Sequence, residues 1–267
     1  PDAIAIVDGK TRLTYREWYD EVQKVTGGLA ALGLKPGGHL VATLSNRLET
    51  ATLYWACQML GAIFTPFNWR ASGPEIAFVI EDAEAALVVY EARSANSVLA
   101  ALKITHFPTD RVIRVDGDSK GLPYSDLLIS SPYRGTSPIE DKDICLMLYT
   151  SGTTGRPKGV PRSYAAERNA SLGCLAQLHY QYGEVCLGVM PLFHTMGIRS
   201  LIMSAMLNGK FVCMPAYDTK NALTLIEREK ISSLFLVPTM FHDIVHRSDL
   251  VEFDLKSVIN IAYAGMS

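Results

Sequence analysis

Residues 148–163 read LYTSGTTGRPKGVPRS. Gly152, Gly155 and Gly159 fall within eight residues, and four hydroxyl side chains and one lysine lie between Thr150 and Lys158. Glycine gives up more backbone freedom on folding than any other residue, so this stretch is costly to order. It continues directly from ICLMLYT at 144–150, a run apolar on both faces, as expected for a strand of a parallel sheet covered on both sides. From about Ser163 to Leu178 the sequence reads as a helix. The expected order is strand, glycine-rich loop, helix.

That order is the layout of a phosphate cradle. Glycines let backbone N–H groups approach an anion closely. The following helix adds its positive dipole end. Ser151, Thr153 and Thr154 supply hydroxyl donors, and Lys158 a mobile positive charge. A bound polyphosphate would offset the ordering cost of the glycines. The stretch is not a Walker A loop, G-x-x-x-x-G-K-[ST], because Lys158 stands between Pro157 and Gly159. It also lacks the G-x-G-x-x-G dinucleotide fingerprint. A plain flexible surface loop is the alternative, and the order of the residues argues against it.

Outward from this loop, helices and strands alternate. Thr14 and Glu17 form a capping box, and Trp18, Val22, Val25, Leu29 and Leu32 repeat on one helical face until Gly33 stops it. HLVATLS at 39–45 reads as a strand, Glu49–Leu60 as a helix ended by Gly61, and AIFTPF at 62–67 as a strand. Helical PEIAFVIEDA precedes strand ALVVY, and helical ANSVLAALK precedes strand RVIRV. Residues 117–143, rich in Gly, Pro, Ser and Asp, read as a surface connection between two lobes. Beyond the glycine loop, EVCLGVM, KFVCMP, SSLFLVP and SVINIAY read as strands, with helices at IRSLIMSAML, NALTLIEREK and MFHDIVHRS. Repeated β-α-β units predict an α/β fold of two lobes, each a mainly parallel sheet flanked by helices. The first lobe is expected over 1–141 and the second, with the loop, over 142–267.

Composition narrows the function. The 267 residues are 48% hydrophobic and 19% charged, ordinary for a globular chain, and 25 basic residues against 27 acidic give a net charge of −2. With no basic tract, nucleic acid is not an expected partner. No apolar run reaches the roughly 18 residues of a membrane span, and PDAIAIVDGK at the N-terminus is not a signal peptide. Cys57, Cys145, Cys174, Cys186 and Cys213 form no CxxC pair and sit mostly in apolar runs. They read as buried reduced thiols in a cytoplasmic protein. Both ends look cut, so a longer protein is expected.

YTSGTTGRPKGV at 149–160 resembles, almost letter for letter, the phosphate-loop motif of the adenylate-forming superfamily of acyl- and aryl-CoA synthetases, luciferases and peptide-synthetase adenylation domains. LTYREWYDEV, QMLGAIFTPFNWRASGPEI, MPLFHTMG and YAGMS are similar to further segments of that group, so the resemblance spans nearly the whole chain. It implies the incomplete N-terminal domain of an enzyme that activates a small-molecule carboxylic acid with ATP, releases pyrophosphate and passes the acyl group to coenzyme A. Mg2+ is implied as cofactor, and a homodimer is compatible. The resemblance places Thr150, Ser151, Gly152, Thr153, Thr154, Gly155, Lys158 and Gly159 on the ATP phosphates, with Thr153 also a metal contact. It places Phe193 and His194 in the acyl pocket and Ala264, Gly265 and Met266 in the adenine wall. Donors and positive charge on the β- and γ-phosphates suit a reaction in which the leaving group builds charge there.

Peptide-synthetase adenylation domains usually carry an Asp near the position of His194, paired with the substrate's α-ammonium. No Asp occurs between Met190 and Ser200, so an amino acid substrate would leave its ammonium unpartnered. PRSYAAERNASL, VCLGVMPLFHTMG, SSLFLVPTMFHDIV and IAYAGMS are most similar to benzoate– and halobenzoate–CoA ligases, which implies an aryl or small cyclic acid; a short- or medium-chain acyl-CoA synthetase is the alternative. His242 and His246 have the i, i+4 spacing of a zinc helix, but Asp243 stands where the metalloprotease motif has Glu and no third ligand is evident, so they read as a solvated helix face. Trp18, Trp55 and Trp69 read as packing residues, with Trp69 and Arg70 as the border of a ligand channel in the alternative reading. The family's Y-G-x-T-E and T-G-D segments and the small domain with its catalytic lysine are expected beyond Ser267. The fragment alone is therefore expected to be inactive. A non-catalytic nucleotide-binding module and an oxidative, luciferase-like enzyme are the rival readings.

Overall fold

The computed structural model describes residues 1–136, 139–151 and 156–263, with Ser151 through its backbone alone. In chain order the elements are β1 (Ile4–Asp8), β2 (Thr11–Thr14), α1 (Tyr15–Ala31), β3 (His39–Thr43), α2 (Leu48–Leu60), β4 (Ile63–Pro66), α3 (Gly73–Asp82), β5 (Leu87–Tyr90) and α4 (Ala95–Ile104). Then follow β6 (Val112–Arg114), β7 (Leu122–Pro123), α5 (Ser125–Leu128), β8 (Ile144–Ser151), β9 (Pro157–Ser163) and α6 (Tyr164–Leu178). The chain goes on through β10 (Val185–Gly188), α7 (Thr195–Met206), β11 (Lys210–Cys213), α8 (Thr219–Glu229), β12 (Ser233–Leu236), α9 (Pro238–Val245) and β13 (Asn260–Tyr263).

Local chemistry explains the main boundaries. At α1 the Thr14 N–H and Oγ1 both donate to Glu17 Oε2 at 2.8 Å, and the Glu17 N–H donates back to Thr14 Oγ1 at 3.2 Å, which is the expected capping box. Ser72 and Glu75 repeat the device at α3, with Ser72 N and Oγ 2.8 and 2.6 Å from Glu75 Oε2. α1 and α2 are followed by Gly33 and Gly61 at φ +90° and +77°, the left-handed conformation that ends a helix most cheaply with glycine.

Two compact units emerge. One comprises Tyr19–Ser45 and Glu49–Glu167. Its sheet has the order β7-β6-β5-β3-β4-β8-β9, parallel except for the antiparallel pair β8–β9. Val41, Ile76, Val79, Val88, Val98 and Ala101 are among its buried core residues. The other unit comprises Pro1–Trp18, Asn46–Leu48 and the chain from Arg168 onward. Its sheet has the order β13-β12-β10-β11-β1-β2, parallel except for β1–β2. Leu187, Val212, Leu223, Ile226, Leu234 and Leu236 fill its core.

The α/β class and the paired, helix-flanked parallel sheets are as expected. The compact units do not follow the expected 1–141 and 142–267 division. β8 and β9 join the sheet of β3–β7, and β1 and β2 join that of β10–β13. Periodicity reports which segments are strands but not which strands pair. The expected surface connection also contains β7 and α5.

A second difference bears on the site. The glycine loop does not lead into a helix. The chain returns as β9, pairing Tyr149 with Gly159, Thr150 with Lys158 and Ser151 with Pro157. α6 begins only at Tyr164, after the seven residues of β9, roughly 20 Å of strand at about 3.3 Å per residue. A helix dipole acts within its first turn, so α6 does not bring its positive end to the loop.

Candidate functional site

The hairpin stem is the described part of the expected phosphate site. Thr150 and Lys158 face each other across it, and Lys158 is exposed. Gly152, Thr153, Thr154 and Gly155 lie outside the described residues, as do Ala264, Gly265 and Met266. Gly159 has a packing duty of its own. A Cβ there would stand 3.1 Å from Met147 Sδ and 3.3 Å from Tyr149 Cζ, so glycine lets the Tyr149 ring lie close against β9.

Tyr149 is the residue that pattern reading missed. It is buried, with 7% of its surface exposed. Its hydroxyl donates to Asp82 Oδ2 at 2.7 Å, and its ring meets Phe67 edge-on at a centroid distance of 5.9 Å. Burial, reinforced by the Asp82 carboxylate, pushes the phenol above its ordinary range, so the hydroxyl stays a donor. At the base of the stem, Arg162 Nε lies 2.7 Å from Oε1 of the buried Glu167, and Cys145 Sγ donates to the Arg162 carbonyl at 3.4 Å. Cys145 falls at a register shift in the β8–β9 ladder, and burial pushes its thiol up to about 12.

In the other unit, the Phe193–His194 turn follows β10 and opens α7. His194 is the residue before the helix, in extended conformation, and its N–H donates to the Pro191 carbonyl at 2.9 Å. Its side chain reaches the surface, while the Phe193 ring is buried and tilted against it at 4.5 Å. Partial desolvation lowers the imidazole pKa, which favours the neutral ring. Two further residues hold the turn, Asn46 from far along the chain and Gly197 at the end of MPLFHTMG. Buried Asn46 donates through Nδ2 to the carbonyls of Gly188 at 2.9 Å and Met190 at 2.7 Å, and accepts from the Leu192 N–H at 2.9 Å. Gly197 admits the 190–191 backbone to the first turn of α7, since a Cβ there would lie 2.1 Å from the Pro191 carbonyl oxygen. Asn46 stands in the polar stretch just past the strand at 39–45, and nothing in its letter or spacing marks it out.

The remaining candidates fall into packing or solvent. His242 and His246 stack at 4.0 Å, and His246 Nδ1 meets the His242 carbonyl at 2.9 Å. No group of three or more His, Cys, Asp or Glu among the described residues could hold a metal. Arg70 lies over the Trp69 ring at 4.0 Å, with Arg93 at 5.8 Å. None of the five cysteines is in a disulfide, and four of them are buried. No helix among the described residues is long and apolar enough to cross a membrane.

Comparison with known proteins agrees with the fold. The chain is 28% identical over 268 residues to a feruloyl-CoA synthase from Amycolatopsis sp, covering 99% of this chain and 52% of that protein. It is 29% identical to a 4-chlorobenzoate–CoA ligase from Pseudomonas sp. (strain CBS-3), covering 88% and 44%. It is 27% identical to a long-chain-fatty-acid–CoA ligase from Mycobacterium tuberculosis, covering 91% and 48%. The chain thus spans about half the length of the curated relatives it matches. The inhibitor-bound N-terminal domain of FACL13 from Mycobacterium tuberculosis superposes with a TM-score of 0.89 at 24% identity, over 100% of this chain and 67% of that one. The sequence pattern of the family described as AMP-binding enzyme matches residues 1–267. On that match, and on the fold that carries it, the chain belongs to the AMP-binding enzyme family.

Proposed function

We propose that this chain is the phosphate- and acid-binding part of an AMP-forming acid–CoA ligase. The observation that carries the reading is the β8–β9 hairpin, which sets Thr150 opposite an exposed Lys158 at the mouth of the glycine loop. In the proposed reaction a carboxylate oxygen attacks the α-phosphorus of ATP, the α–β anhydride bond breaks and pyrophosphate leaves. The thiol of coenzyme A then loses its proton and attacks the acyl carbon, and AMP departs with the bonding electrons. Lys158 and the loop donors would neutralise the charge that builds on the β- and γ-phosphates. The implied Mg2+ finds no cluster of acidic or histidine ligands among the described residues, which fits an ion held largely by phosphate oxygens and water.

The acid is read as an aryl or small cyclic carboxylic acid. The relatives named for ferulate and chlorobenzoate support this class; the relative named for long-chain fatty acids favours the acyl alternative. A neutral His194 beside Phe193 suits an uncharged aromatic substrate body better than an ammonium group. Five cysteines outside any disulfide, most of them buried, suit the reducing cytoplasm. The test is pyrophosphate release by the protein at its natural length across aryl, alicyclic, short-chain, long-chain and amino acids. Benzoate-type acids should lead, and Lys158→Ala should lower the rate roughly 100- to 1,000-fold, the usual effect of losing one transition-state donor, with an unchanged melting temperature. A screen led by palmitate or an amino acid overturns the acid assignment; a wild-type rate in Lys158→Ala overturns the hairpin assignment.

A further inference from the structure

The rung of the hairpin next to Thr150 and Lys158 is built unlike an ordinary strand pair. Tyr149 stands opposite Gly159, so the only side chain on that rung is a buried phenol. The ring is clamped between the bare Gly159 backbone and the edge of Phe67. Its hydroxyl donates to Asp82, the last residue of α3. That is a poor place for a carboxylate as far as α3 is concerned, because the helix dipole disfavours negative charge at its C-terminus. Glu81 and Glu84 crowd the same end with further negative charge. Asp82 is therefore well placed for the tyrosine and badly placed for its own helix.

We propose that Tyr149 and Asp82 form a positioning pair, which fixes the twist and height of the Thr150–Lys158 rung and so aims Lys158 at the ATP phosphates; the inference rests on the adenylating reading above. α3 is a firm brace for this purpose. Its start is capped by Ser72 and Glu75, and Gly73 brings it within close packing distance of Ala100 on α4. Lys158 itself is exposed and has a long, mobile stem. The direction of its approach depends on the backbone that carries it, and that backbone is held from one rung away. Neither member of the pair is a catalytic residue.

The test uses the protein at its natural length, with initial rates of pyrophosphate release measured against ATP and against the acid separately. Tyr149→Phe keeps the ring over Gly159 and removes only the hydrogen bond. It should raise the KM for ATP about two- to tenfold, the worth of one such bond, with the KM for the acid changed less than about twofold. Asp82→Ala should do the same. Asp82→Asn should restore the wild-type KM, because the amide oxygen accepts the same bond. The double variant Tyr149→Phe/Asp82→Ala should be no worse than either single, as members of one pair require. Unchanged ATP dependence with a lowered melting temperature would show a merely structural bond and overturn the inference. Equal rises in both KM values would overturn it too. If the wild type consumes no ATP in response to any acid, both readings fall together. If the wild type is active, Lys158→Ala is not, and Tyr149→Phe behaves as wild type, only the positioning pair falls.

Discussion

Asn46→Ala removes a side chain that makes three hydrogen bonds at 2.7–2.9 Å to the backbone of residues 188–192. The Gly188 carbonyl keeps the Met214 N–H at 3.2 Å, so the released groups are the Met190 carbonyl and the Leu192 N–H; Asn46 is 3% exposed and both residues are mostly buried, so water reaches them poorly. Each bond contributes roughly 0.5–1.5 kcal/mol net, and each buried backbone group left without a partner costs about 1–3 kcal/mol. With two groups released and some water entering the space left by the amide, the expected loss is about 2–4 kcal/mol. That is a large share of the roughly 5–15 kcal/mol that holds a domain folded. Because the released segment leads straight into Phe193 and His194, the acid's KM should rise in the fraction that stays folded. Asn46→Asp keeps the acceptor for the Leu192 N–H but sets a carboxylate against two carbonyls, so its loss should be at least as great. Urea unfolding gives the stability change, and rates at varied acid concentration give the KM. A loss under about 1 kcal/mol with an unchanged acid KM would refute this account of the turn.

His194→Ala should alter the acid's KM or turnover and leave the ATP dependence alone; a defect confined to ATP would put the pocket elsewhere. Partial desolvation of a side chain that still reaches the surface holds the His194 pKa below its unfolded value, so its neutral form modestly favours the folded state above about pH 6.5. That contribution is lost as pH falls through the lowered folded pKa, and the variant's unfolding midpoint should be flatter than the wild type's below pH 6.5. Burial pushes the Glu229 carboxyl up, but Arg12 at 2.9 Å, Lys210 at 3.2 Å and Arg228 at 3.0 Å outweigh it and hold the pKa at about 2. Its stabilisation is present above about pH 4.5 and fades as pH falls toward 2. Glu229→Gln should blunt that acid limb and cost about 1–3 kcal/mol at pH 7, less than a fully buried pair because Arg12 and Arg228 are about half exposed. An acid limb identical to the wild type's would refute the assignment.

The sequence declared its longer helices and most interior strands because their signals are local. Thr14 with Glu17 caps α1, apolar runs such as LVVY leave no doubt of a covered strand, and glycines at 33 and 61 close helices. β9 stayed hidden because PKGVPRS carries two prolines, a glycine and two cations. Those residues are tolerated at a sheet edge, where one side of the strand needs no ladder, and β9 is the edge beyond β8. The assignment of β1 and β2 to the second sheet was beyond reach for another reason. Pairing across about 200 residues leaves no local trace. In the site, the hydroxyls, glycines and Lys158 were legible as letters of a motif. Tyr149 and Gly197 stood inside motif segments and Asn46 outside them, but the role of none was legible, because those roles depend on Asp82, on the Pro191 carbonyl and on three backbone groups from Gly188 to Leu192.

The correction to the loop changes what must do the electrostatic work. In a strand–loop–helix cradle the helix end contributes part of the positive potential. Here α6 starts at the far end of β9, and in the proposed reading the phosphates would meet loop donors and Lys158 in place of a helix end. An exposed ammonium in salt is screened over about 8 Å, so Lys158 is effective only when it lies close to the phosphates. Closeness is a matter of backbone placement, and the β8–β9 ladder supplies it by holding Ser151 opposite Pro157, which fixes both ends of the intervening segment whatever its path. The ladder is anchored in turn at Phe64 on β4, opposite Leu146, and at Asp82 on α3. A cradle on a β-hairpin therefore relies on the rigidity of its stem where a helical cradle relies on its dipole, and a substitution that loosens the stem should weaken ATP binding without touching a phosphate contact.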